Sequence, residues 1–175
     1  IIKNKNCVSF IASLLAIFAI SSNVSAQLPV APVFQSAYQK GTRDVSGAPG
    51  KNYWQNTADY QMQINFNPET RLIKGTVEIK YTNNSPDNLD EIWFKLYPNL
   101  YKKGVPRKSK FNERDLGEGV KITSITVNNQ PKDTASLIID GTNMHTKVPT
   151  LVAGKSMNFK IEYQYVLNKG SHQRT

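Results

Sequence analysis

Cysteine is almost absent from this chain. Among 175 residues only Cys7 occurs, which excludes an intramolecular disulfide and any Cys-rich zinc site. Histidine is nearly as scarce. The two that occur, His145 and His172, are too few for a three-histidine metal centre. There is no G-x-S-x-G elbow, no Walker loop and no H-E-x-x-H, so the familiar catalytic signatures are missing. Internal repeats and low-complexity tracts are missing as well. No segment after the first 26 residues shows a convincing 3.6-residue period.

What is present suits one domain of ordinary size, or one domain with a tail. Hydrophobic residues make up 39% and charged residues 20%, enough for a packed core without a disulfide or metal staple. The formal net charge is +9, a balance that can suit nucleic acid or an anionic surface. The ordinary reading is a solvated basic surface.

The first 26 residues have the pattern of a secretory signal peptide. Lys3 and Lys5 precede an apolar run from Cys7 to Ile20, and Val24 and Ala26 suit an A-x-A-like cleavage site. The expectation is cleavage after Ala26 and a secreted or periplasmic protein. The run falls short of the roughly 18 to 20 apolar residues of a spanning helix, so no membrane span is expected. Secretion also argues against a nucleic-acid partner.

Residues 27–57, rich in Pro and Gly, read as a linker or surface arm, with Tyr53 and Trp54 as anchors at its end. From residue 58 the period is two. Tyr60, Met62, Ile64 and Phe66 alternate with polar residues, as do Ile73, Val77, Ile79 and Tyr81 beyond the Asn67-Pro68-Glu69-Thr70 turn. That pattern predicts a long hairpin with one buried and one wet face. Ile92, Phe94 and Leu96 oppose Trp93, Lys95 and Tyr97, which predicts a strand covered on both sides. A long basic loop follows, to about Glu118. A change of phase predicts a bulge near Thr123 and Ser124. Asn128-Asn129-Gln130-Pro131 and Asp140-Gly141 mark turns, and Met157, Phe159, Ile161, Tyr163 and Tyr165 form the last apolar stripe. The fold expected over 58–167 is all-β, an antiparallel β-sandwich. Residues 168–175 read as the start of a continuation. Ile1 in place of Met, and the stop at Thr175, predict a piece open at both ends.

The candidate sites each have a plain alternative. His145 and His172 have no ligand-like spacing. Asp87, Asp90 and Glu91 suit a weak calcium site or turn chemistry. Gly117-Glu118-Gly119 is a bare G-x-G with no helix after it. Lys102, Lys103, Arg107, Lys108, Lys110 and Arg114, interleaved with Tyr97, Tyr101 and Phe111, suit a polyanion, a solvated loop or one docked on a neighbouring acidic domain. Trp54, Trp93 and Tyr97 suit a sugar-stacking platform, or core and anchoring roles. No catalytic, cofactor-binding or metal-ligating residue is assigned.

The run Ala58-Asp59-Tyr60, Phe66-Asn67-Pro68-Glu69-Thr70-Arg71, Gly75-Thr76-Val77-Glu78-Ile79 and Tyr81-Thr82-Asn83-Asn84-Ser85 resembles the start of the aminopeptidase N-like zinc metallopeptidases. Leu89 to Tyr101, with its Leu96-Tyr97-Pro98-Asn99 turn, is similar to the secreted bacterial branch, and Val148-Pro149, Leu151 to Lys155 and Tyr163 follow in the family's order. The resemblance spans about residues 52–167. It implies a saddle-shaped N-terminal β-sandwich that packs on a downstream catalytic domain and helps wall its cleft. The implied zinc and peptide chemistry belong to that domain. The family's G-x-M-E-N segment is absent here, so no catalytic residue is transferred. The alternative is a stand-alone secreted sandwich that binds a glycan or polyanion.

Overall fold

A computed structural model describes residues 30–108 and 111–169. The signal-peptide reading, Lys110, His172 and the last residues lie outside them. The chain divides into two compact units, one ending at Tyr53 and one beginning at Trp54.

The first unit contains helix α1, Pro32–Gln39. Pro32 at its first turn has no N–H that the helix would need there, and its fixed φ suits helix entry. The chain then folds back: Asn52 N–H donates to the Gly41 carbonyl at 2.9 Å, and the Asn52 side chain donates to the Lys40 carbonyl at 2.9 Å. Arg43 sits over the Phe34 ring, 5.0 Å from its centroid. Sequence periodicity showed no helix here, because a helix of 8 residues completes barely two turns.

The second unit is built of antiparallel strands: β1 Thr57–Asn67, β2 Leu72–Thr82, β3 Leu89–Lys95, β4 Lys121–Val127, β5 Gln130–Pro131, β6 Ile138–Asp140, β7 Asn143–Leu151 and β8 Ser156–Val166. One sheet has the order β1-β2-β8-β4-β5 and the other β3-β7-β6. The β1–β2 hairpin pairs Tyr60 with Ile79 and Phe66 with Ile73, and Asn67 Oδ1 accepts from Thr70 N–H across its turn. The register of β4 on β8 shifts between Ile122 and Ser124, where the change of phase predicts a bulge. Asn128 and Asn129, both at positive φ, close the β4–β5 hairpin.

The sheets share one core. Ile79, Ile125, Phe159 and Ile161 of the larger sheet pack with Ile92, Met144 and Leu151 of the smaller. Phe94 meets Phe159 edge-to-face, with ring centroids 5.4 Å apart. Burying such side chains is worth roughly 1.5–3 kcal/mol each. The all-β sandwich expected from the alternation is the fold observed.

Two expectations are corrected. β3 lies at the edge of its sheet, and Trp93 and Tyr97 are exposed, so β3 is not covered on both sides. Its apolar outer positions reflect an exposed indole, not a second packed layer. The apolar side of β1 is not buried either. Tyr60, Met62, Ile64 and Phe66 are 48–61% exposed, and a cavity rather than close packing separates Tyr60 and Met62 from the smaller sheet.

Candidate functional site

The inner face of the larger sheet is apolar along its whole length but covered only in part. Met62, Val77, Ile161 and Ile125 form one row across β1, β2, β8 and β4. In that row Ile161 and Ile125 are buried, while Met62 is 61% exposed. Phe66, Ile73 and Tyr165 form a row nearer the end of β8. Between these rows lies Gly75. A Cβ there would come within 2.5 Å of the Tyr163 ring, so only glycine lets the tyrosine lie across the strand.

Two cavities continue this apolar surface. One, of about 280 Å³, opens between the sheets and is lined by Met62, Val77, Leu96 and Tyr163 among others. The second, of about 550 Å³, is lined by Tyr97, Leu100, Tyr101 and the outgoing residues Tyr165, Val166 and Leu167. Burial pushes the Tyr165 phenol above its ordinary pKa, with the neighbouring Tyr163 adding to the effect.

Asn99, from the Leu96-Tyr97-Pro98-Asn99 turn, lies behind Gly119, which lines that second cavity. It is fully buried, donates to the Gly141 carbonyl at 3.1 Å and accepts from Val120 N–H at 2.7 Å. Gly119 lies against it. A Cβ at Gly119 would approach Asn99 Oδ1 to 2.6 Å, and its φ is +77°. The G-x-G therefore serves packing of a loop. Asn83 is the second buried amide: it donates to the Asp87 and Leu151 carbonyls and accepts from Ser85. The sequence places both asparagines in turns and gives no sign of their burial, since Asn in a turn reads as an exposed residue.

On the outer face of the smaller sheet, three sequence candidates or their neighbours converge. Trp93 stacks on His145 with centroids 4.1 Å apart and planes within 5°. Glu91 accepts from Trp93 Nε1 at 3.0 Å and pairs with His145 Nδ1 at 2.6 Å. The hydrogen bond from His145 holds the Glu91 carboxyl below its ordinary pKa, with the Trp93 N–H bond adding to it. The indole is thus fixed in orientation while remaining 58% exposed.

The other candidates separate. Asp87 contributes its carbonyl to the Asn83 turn, and Asp90 accepts from Thr150 at 2.6 Å. They do not join Glu91 around a cation. Among the described residues no three His, Cys, Asp or Glu side chains gather as a metal site requires. The basic loop folds on itself: Lys103 pairs with Glu118 at 2.9 Å, and Arg107 bonds the Lys102 carbonyl and covers the Phe111 ring. Tyr101 packs on Phe111, 4.9 Å between centroids. Trp54 is 41% exposed and Tyr97 74%. No helix among the described residues is long and apolar enough to cross a membrane. No protein-family model matches this chain, and no curated protein matches it either.

Proposed function

We propose that this chain is the non-catalytic N-terminal scaffold of a secreted zinc-dependent aminopeptidase, packed on a catalytic domain that follows it and helping to wall that domain's cleft. One observation carries the reading beyond the ordered resemblance over residues 52–167. The inner face of the larger sheet runs from the half-open Tyr60, Met62, Ile64 and Phe66 of β1 across the partly buried Ile73 and Tyr165 to the end of β8. A contiguous exposed apolar patch in a secreted protein marks a contact surface. A domain that follows in the chain is joined beyond the end of β8. In this reading the peptide substrate and the zinc are held downstream, and this chain supplies packing and shape.

The test compares the 175-residue chain with a longer form that includes the following domain. The short chain should hold no stoichiometric zinc and cleave no amino-acid anilide. The longer form should do both. A metal-free, inert longer form sinks the reading.

A second reading, a sugar-binding module, is favoured by the fixed and exposed Trp93 indole. Aromatic rings with a polar rim suit the C–H face of a pyranose. Titration with neutral oligosaccharides, followed by Trp93 fluorescence in a Trp54→Phe background, checks it. A saturable change that Trp93→Ala abolishes supports the module, and a flat titration removes it.

A further inference from the structure

The two sheets present four outer edges, and three of them are blunted. β5 is a strand of 2 residues that ends in Pro131. β6 has 3 residues. β3 carries Glu91 and Lys95, and its register shifts between Leu89 and Glu91. Short strands, proline, charge and bulges are the devices that keep an edge from pairing with another chain. β1 has no proline and no bulge, is not short, and carries one charge. It is the outermost strand of its sheet, 11 residues long, paired with β2 in an unbroken register, with no proline, lysine or arginine and Asp59 as its single charge.

Its sequence also matches itself. Laid antiparallel on a second copy and centred on Met62, all of β1 overlaps: Thr57 faces Asn67, Ala58 faces Phe66, Asp59 faces Asn65, Tyr60 faces Ile64 and Gln61 faces Gln63. Residues opposite each other in an antiparallel pair share a face, so apolar meets apolar and polar meets polar throughout. No two like charges oppose. The two-fold axis passes through Met62, which makes the contact closed and self-complementary.

We infer that β1 pairs edge to edge with β1 of a second copy in this register, giving a dimer in which one sheet runs through both molecules. The edge lies in the plane of the sheet, whereas the domain contact proposed above uses the face, so this inference is independent of that reading.

Sedimentation of the purified chain tests it, with circular dichroism as the check on folding. The wild type should show a concentration-dependent dimer. Gln61→Lys combined with Gln63→Lys sets like charges opposite each other twice across the join, on exposed positions. It should weaken the dimer by at least about tenfold. Gln61→Lys combined with Gln63→Glu sets opposite charges at the same places and should restore it. A wild type that stays monomeric overturns the inference. So do two double variants that associate equally, because the register predicts opposite signs for them. A monomeric result leaves the aminopeptidase reading standing, and a metal-free longer form leaves the dimer standing.

Discussion

The two halves of the larger sheet's inner face share one sequence pattern and have opposite surroundings. Toward β4 the stripe of Ile125, Phe159 and Ile161 is 2–4% exposed under the smaller sheet. Along β1 the stripe of Tyr60, Met62, Ile64 and Phe66 is roughly half open to solvent. The alternation of apolar and polar residues is as strict in one as in the other. Periodicity therefore reports which side of a strand is apolar, and says nothing of whether this chain itself provides the cover.

The contrast predicts a steep difference in mutational cost. Ile79→Asp places a charge without a partner in the shared core, which costs several kcal/mol against a total stability of about 5–15 kcal/mol. Chemical denaturation should find the variant unfolded or nearly so. Phe159→Ala should follow, at about 3–5 kcal/mol. Gly75→Ala comes next, at about 1–3 kcal/mol, because its methyl group displaces the Tyr163 ring. Gly75→Ala made together with Tyr163→Ala should cost less than the sum of the two changes. Ile64→Ser, on the open half, should shift the denaturation midpoint of the isolated chain by no more than about 0.5 kcal/mol. In the longer form with the following domain the same change should cost clearly more. Equal effects of Phe159→Ala and Ile64→Ser in the isolated chain would erase the distinction between covered and open halves.

The smallest effect expected is electrostatic. Glu91 has its carboxyl pKa lowered by His145 in the folded state. Its contribution to stability is therefore present above the ordinary glutamate pKa and is lost as pH falls through the lowered folded value. Carbon NMR of the Glu91 carboxyl should show titration below the ordinary glutamate range. His145→Ala should move it back upward, and an unchanged midpoint would mean that another group holds the carboxylate.

The hairpin, the bulge beside Thr123 and the final apolar stripe were legible in the sequence because each depends on near neighbours in the chain. Pairing order and cover were not. Trp93 reads as a core residue by composition, yet its strand lies at an edge. His145 and Glu91 are 54 positions apart, and only the β3–β7 register brings them together. Asn99 and Asn83 sit among turn residues whose usual place is the surface. Their burial follows from the carbonyls and N–H groups they satisfy, partners that no local pattern announces. Helix α1 left only Pro32 as a signal.

Gly75 and Tyr163 lie 88 positions apart, yet the side chain at one limits what the other position can hold. The ring occupies the space that any other residue at 75 would claim. A lineage that enlarges residue 75 must first, or at the same step, shrink residue 163, whereas losing the ring alone opens a gap over the strand. Descendants of this fold should therefore carry the small and the large residue together or exchange them together. The pair is a place to look for common ancestry in chains whose overall likeness has faded.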